Sequence, residues 1–215
     1  MGNIYAVGNL SEIIFCVFKM NKDLYLFDFD GTLTKVDTLF DFLKFSFAKS
    51  YHLHYMKFIP LFILAKLKIQ NKSDVKQKFI SCFLKGMSRS EIKDLSRDYF
   101  ESRKNHILRM KGMDYIHKIG DSQDKYIVSA SLDIWIEPFA LYLNMGLICT
   151  RAEFNSEGIF TGKFSTPNCN YEEKKKRIKE TVDLNLYNNI LVFGDTKGDE
   201  AMFSLATEKF FRHFQ

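Results

Sequence analysis

The chain has 215 residues, of which 46% are hydrophobic and 27% charged, with a formal net charge of +5. That length suffices for one α/β domain with a modest insertion, and that composition excludes an intrinsically disordered chain. The mild positive charge fits either an ordinary solvated basic surface or a small anionic ligand, and with no dense Arg/Lys block it argues against nucleic acid as a partner.

Residues 1–19 read as an N-terminal extension with no assigned role, and Met20, just ahead of the first strand, is a candidate start. The apolar stretch Ile13–Phe18 is short, follows Glu12 and lacks a basic leader, so it does not read as a signal peptide. No stretch reaches the length needed to span a bilayer. Cys16, Cys82, Cys149 and Cys169 share no close pairing, which fits a reducing, cytoplasmic setting. Cys82 and Cys149 lie in apolar runs and are expected to be small core residues.

Leu24-Tyr25-Leu26 begins a buried strand that runs into Phe27-Asp28-Phe29-Asp30-Gly31-Thr32-Leu33-Thr34. The pattern then turns helical. Apolar residues recur at helical spacing over Thr38–Phe47, Leu53–Ile69, Ser73–Leu84 and Ser90–Leu108. Ser73-Asp74 and Ser88 or Ser90 ahead of Glu91 are the expected N-caps. No strand-like alternation interrupts this block, so residues 37–108 are expected to form an all-helical cap. Residues 20–36 and 109–215 would then form the α/β core.

The core resumes with a helix over Met110–Ile119 and a strand over Lys125–Ser129 that ends in Ser129-Ala130-Ser131. Leu132–Asn144 is helical in pattern but contains Pro138, which predicts a short turn and then a fresh helix with Pro138 near its first position. Leu147–Thr150 is a further strand, and Glu153–Phe164, centred on Asn155-Ser156-Glu157-Gly158, predicts a β-hairpin. A charged helix over Glu172–Val182 precedes the apolar strand Ile190-Leu191-Val192-Phe193, which ends in Gly194-Asp195-Thr196-Lys197-Gly198-Asp199. Lys209-Phe210-Phe211 predicts a last short strand. This strand–helix alternation implies a Rossmann-like, doubly wound parallel sheet with ligands at the carboxyl ends of its strands.

Three strand tips therefore carry polar chemistry in a fixed order: an acidic pair, a serine, and a second acidic pair, with Lys174-Lys175-Lys176 ahead of the last. In this order the tips resemble the haloacid dehalogenase superfamily of phosphatases, over nearly all of Asp23 to Phe211. That resemblance implies Asp28 as the nucleophile that becomes an aspartyl phosphate, and Asp30 as the general acid/base. It implies Asp195, with Asp28 and the Asp30 backbone carbonyl, as Mg²⁺ ligands supported by Asp199. Ser129 would bind the phosphate through its hydroxyl. Lys174 is the preferred phosphate-binding lysine, with Lys175 and Lys176 as alternatives; at Tyr171 the chain departs from the glycine usual in that segment. Asp199 is also a candidate N-cap of the last helix. His52 and His54 are expected to be surface or packing residues, and Trp135 core or rim.

A helical cap after the first motif is similar to the phosphoserine phosphatase-like branch, where a Glu nine residues past the nucleophile contacts substrate; here that position is Asp37. Ser129-Ala130-Ser131 replaces the Ser-Gly-Gly of true phosphoserine phosphatases and, with Asp37-Thr38-Leu39-Phe40, resembles phosphatidylglycerophosphatase C. The expected activity is Mg²⁺-dependent hydrolysis of a small phosphorylated metabolite. A lipid-phosphate phosphatase, a phosphotransferase and a non-catalytic binding protein on the same fold are the alternatives. The stretch Tyr55–Lys68, apolar with lysines at intervals, fits either ordinary packing in the cap or a dimer, or weak docking on an anionic membrane.

Overall fold

The computed structural model describes residues 22–215, so the N-terminal extension and Cys16 lie outside the described residues. Strand β1 (Leu24–Phe27) lies at the centre of a five-stranded parallel sheet. Its neighbours are β2 (Asp124–Leu132) and β6 (Ile190–Gly194), and β3 (Gly146–Thr150) and β7 (Glu208–Phe211) form the edges. Leu24 pairs in register with Asp124 on one side and Ile190 on the other, so the carboxyl ends of three strands finish level. The strand order reverses beside β1, which is where a doubly wound sheet opens a crevice.

Alternation along the strands builds two cores. Phe27, Ile127 and Phe193 face one side, where Phe27 stacks on Phe193 with ring centroids 4.6 Å apart and Phe193 stacks on Phe210 at 4.5 Å. Leu24, Leu26, Val128 and Val192 face the other, against Ile178 of α7 (Glu172–Thr181) and Met202 of α8 (Glu200–Phe203).

Between β1 and β2 the chain is helical, with α1 (Thr38–Ser46), α2 (Ala48–Lys66), α3 (Lys72–Leu84), α4 (Arg89–Ile107) and α5 (Met110–Lys118). The helical block leaves and rejoins the sheet at adjacent points: Lys35 N–H donates to Ile107 C=O at 2.8 Å and Arg109 N–H to Leu33 C=O at 2.8 Å. The hairpin of β4 (Ala152–Phe154) and β5 (Phe160–Phe164) is bonded to this block through Gly86 N–H to Phe160 C=O and Phe160 N–H to Met87 C=O.

Four local expectations need correction. Helix α2 begins at Ala48 rather than Leu53, because Tyr51 extends the buried aromatic face that Tyr55, Phe58 and Phe62 continue. The cap of α3 is Asn71, whose side chain accepts from Ser73 N–H at 2.8 Å; Ser73 is already inside the helix. At α4 the expectation holds, with Ser88 and Glu91 forming a reciprocal capping box. Cys82 is exposed on α3, one position ahead of the buried Phe83, whereas Cys149 is buried. Trp135 is fully buried.

The fourth concerns Pro138. Helix α6 (Asp133–Tyr142) runs straight through it, so no fresh helix starts there. Proline deprives the carbonyl four residues earlier of its donor. That carbonyl belongs to Ile134, and the hydroxyl of buried Ser96 on α4 donates to it instead. A bond from the neighbouring helix thus replaces the missing one. Ser96→Ala should cost about 1–3 kcal/mol in urea denaturation by orphaning that carbonyl. In a Pro138→Ala background, where residue 138 regains its N–H, the same substitution should cost much less.

Candidate active site

Asp28 follows β1 directly, and its N–H still donates to Phe193 C=O at 2.9 Å, so the sheet positions its backbone. The chain then makes one wide turn, Phe29–Leu33, closed by Thr34 N–H to Phe29 C=O at 3.0 Å. Gly31 within it has φ 85°, and a Cβ there would collide with the Asp195 carboxylate. This glycine is what lets the first acidic tip approach the second.

The carboxylates of Asp28, Asp195 and Asp199 offer oxygens that all lie within 4.8 Å of one another. Lys174, 2% exposed in the first turn of α7, donates to Asp28 Oδ1 at 2.6 Å and Asp199 Oδ1 at 2.7 Å. Of the three consecutive lysines, then, 174 is the one brought to the acidic tips; Lys176 faces Glu180 on the surface. Asp199 uses its second oxygen to accept from Asp195 N–H at 3.2 Å and Thr196 N–H at 3.1 Å. It stands at the N-cap position of α8 without capping it; its side chain turns back toward the strand.

Asp30 lies outside that cluster. Its Oδ1 accepts from Thr38 N–H at 2.7 Å and Thr38 Oγ1 at 2.6 Å, at the N-terminus of α1. Its Oδ2 accepts from Ser131 Oγ at 2.6 Å and Ser129 Oγ at 3.4 Å. Trp135 Nε1 in turn donates to Thr38 Oγ1 at 3.1 Å. Asp37 caps α1 by accepting from Leu39 N–H at 3.0 Å.

Asp28, Asp30, Asp37, Ser129, Ser131, Lys174 and Asp199 line a cavity of about 410 Å³, with Phe40, Phe62, Lys72 and Lys76 on the side of the helical block. Lys76 escaped the sequence reading. From α3 it reaches across to donate to Ala130 C=O at 2.7 Å, linking the block to the Ser129–Ser131 tip. Its sequence signal is its place three, four and seven residues ahead of the buried Phe79, Ile80 and Phe83, a lysine on the apolar face of the helix. Thr38 and Ser131 stood in motifs the sequence showed, but their grip on Asp30 had no signal, because the contacts span 8 and 101 residues.

The electrostatics is lopsided. Burial, and then the Asp199 charge, push Asp28 up to about 7 despite the Lys174 ammonium. Burial also pushes Asp195 up, with Asp199 adding to it. Burial pulls Lys174 down, but the two carboxylates beside it more than offset this and hold it above its ordinary value. For Asp37, restricted solvation at the cavity wall and then the Asp30 charge raise its carboxyl. Asp195 Oδ1 is buried with no hydrogen-bond partner among the described residues. Three carboxylates facing one ammonium, with an orphaned oxygen among them, fit a hard divalent cation such as Mg²⁺.

The sequence of residues 25–204 matches the family model of the haloacid dehalogenase-like hydrolases. The chain belongs to that family. It is 31% identical over 196 residues to the protein CicA of Caulobacter vibrioides, an alignment covering 89% of this chain and 86% of CicA. Among solved structures, a Bordetella pertussis Tohama I protein of unknown function superposes with a TM-score of 0.75 at 16% identity, covering 88% of this chain and 89% of that one. A phosphoserine phosphatase solved as a phospho-aspartyl intermediate analogue superposes with a TM-score of 0.62 at 18% identity, covering 88% and 85%. These likenesses establish the shared fold of this haloacid dehalogenase-like hydrolase.

The segment that delivers Lys174 is strained. Tyr171 has φ 49° and ψ −128°, a region suited to glycine, while its N–H is held by Gly198 C=O at 3.1 Å. Such strain costs about 1–3 kcal/mol, partly offset by the roughly 0.4–1 kcal/mol of extra chain entropy that a glycine would bring to the unfolded state. Tyr171→Gly should therefore stabilise the protein by about 1 kcal/mol, read as a rise in Tm of roughly 2–4 °C.

A second expectation follows from Asp28. Its folded pKa of about 7 exceeds its unfolded value near 4, so the folded state holds an extra proton in between. Without a divalent cation, stability should fall as pH rises through that window. Adding Mg²⁺ should flatten the slope, as followed by urea titrations across pH.

Proposed function

We propose that the chain is a Mg²⁺-dependent phosphomonoester hydrolase acting on a small phosphorylated substrate. The observation that carries this reading is Lys174 fixed between Asp28 and Asp199, which line a cavity that also holds Ser129, with an Asp195 carboxylate oxygen within 4.8 Å of theirs. A phosphate dianion needs cationic neighbours before a carboxylate can approach it. In this reading Lys174 supplies one positive charge, and Ser129 Oγ and the Ser131 N–H donate to phosphate oxygens.

Asp28 attacks phosphorus in line with the ester oxygen; a P–O bond to Asp28 forms as the P–O ester bond breaks. Asp30 protonates the departing alkoxide. Water then attacks the aspartyl phosphate, Asp30 takes its proton, and phosphate and free Asp28 are released. Thr38 and Ser131 keep the Asp30 carboxyl aimed between the tips of β1 and β2 throughout. Bound at Asp28, Asp195 and the Asp30 carbonyl, with Asp199 in support, Mg²⁺ would neutralise phosphoryl charge and orient the oxygens. Asp37 faces the same cavity, where the alcohol part of the substrate would sit, and there it selects among substrates alongside Lys76, Phe40 and Phe62. The phospho-aspartyl analogue obtained in the phosphoserine phosphatase neighbour supports the same chemistry here.

The experiment is phosphate release from a generic aryl phosphate and a panel of phosphomonoesters. Turnover should require Mg²⁺ and vanish with chelator. Asp28→Asn should abolish it, and Asp30→Asn should lower it by roughly 10²–10⁴-fold. No hydrolysis across the panel by folded, Mg²⁺-loaded protein would overturn the reading.

A further inference from the structure

Helix α2 is apolar on two faces, and only one of them is covered. Its inner face, Tyr51, Tyr55, Phe58 and Phe62, packs on Phe79 and Phe83 of α3, with Phe58 and Phe62 each 5.2 Å from the Phe79 ring. Its outer face carries Leu53, Met56, Ile59, Ile63 and Leu67, each between 39% and 67% exposed. Their spacing of three, three, four and four residues places them on one continuous stripe. An apolar stripe on a helix ordinarily faces a partner surface. No described residue covers this stripe.

The charge around the stripe is of one sign. Lys57 borders it on one flank and Lys66 on the other, both exposed. Between Asp41 and Asp74 the chain contains Lys44, Lys49, Lys57, Lys66, Lys68 and Lys72 and not one Asp or Glu. An apolar strip edged by lysines without acids suits an anionic bilayer surface, where aliphatic side chains enter the headgroup boundary and ammonium groups meet phosphate. A second copy of the chain is the poorer occupant, since a two-fold contact would set this lysine-rich edge against itself. Pro60 lies on the same outer side and removes the donor for the Met56 carbonyl, which suits the hydrated interface and not the hydrocarbon interior. No described helix is long and apolar enough to cross a membrane.

We propose that the outer face of α2 is a peripheral docking surface for anionic membranes. Phe62 on the inner face of α2, together with Phe40 and Lys72, lines the active-site cavity, so docking would hold the cavity mouth close to the lipid surface. The docking itself does not depend on hydrolysis.

The test is co-sedimentation of the full chain with phosphatidylcholine vesicles, with and without about a quarter phosphatidylserine. Binding is expected to the anionic vesicles alone, and to weaken as salt rises from about 0.1 to about 0.5 M. Lys57→Gln with Lys66→Gln should weaken it by about fivefold per lysine, and Met56→Gln with Ile63→Gln by at least about tenfold. Thermal melts and turnover of a soluble aryl phosphate should stay at wild-type values in these variants, which separates docking from catalysis. Absence of binding at low salt, or equal binding to both vesicle types, would overturn the proposal. So would a dimer in analytical ultracentrifugation that Met56→Gln with Ile63→Gln dissolves, since a second copy would then own this face.

Discussion

The bond pair from Lys174 to Asp28 and Asp199 is the constraint on which the rest of the site depends. Two carboxylates and one ammonium stand almost wholly out of water, and desolvating each costs several kcal/mol. Such a group persists only where geometry is held from several directions. Here β1 holds Asp28, the turn after β6 holds Asp199 through the N–H groups of Asp195 and Thr196, and the strained Tyr171 sets where α7 begins. The triad still leaves Asp195 without an ion-pair partner among the described residues, with Lys174 and Arg212 only partly offsetting its burial. The fold has thus assembled more negative charge than its own cations balance, an arrangement suited to a site that receives a cation and an anion together.

Close backbone approach makes this possible. Gly31 admits the Asp195 carboxylate, and at Gly194 a side chain would meet Asp199 within 3 Å. The stacked rings of Phe27, Phe193 and Phe210 fix the central strands beneath, so the acidic tips stay level. Rigidity below and tight glycine turns above let three carboxylates converge without unravelling the strand ends.

The helical block is tied to this floor by polar links as well as by apolar packing such as Phe42 on Trp135 and Phe100 on Phe139. Thr38 at the start of α1 grips Asp30, and Lys76 on α3 grips the carbonyl of Ala130. Both links end on residues of the cavity itself. Any movement of the block relative to the sheet would therefore change the hydrogen bonding of Asp30 and of the serine tip, coupling access to chemistry. The same block presents α2 outward, so a surface that holds α2 also sits beside the cavity.

Much of this was legible in the sequence because it is local. The order of strands and helices follows from periodicity, and Asp28, Asp30, Ser129 and Asp195 announce themselves by standing at the ends of apolar runs. Family resemblance singled out Lys174 among three adjacent lysines, but its contact with Asp28 spans 146 residues and exists only because β6 lies beside β1. Likewise the break expected at Pro138 failed because Ser96, on a different helix, supplies the missing donor. The exposed cysteine on α3, the Thr38 and Ser131 grip on Asp30, and the bare face of α2 were also decided in three dimensions. Sequence alone determined which side chains could do chemistry and on which elements they ride, since backbone preference and amphipathic pattern act over a few residues. Tertiary structure decided which of them meet and which faces stay open, since that depends on strand order and on packing between segments far apart in the chain.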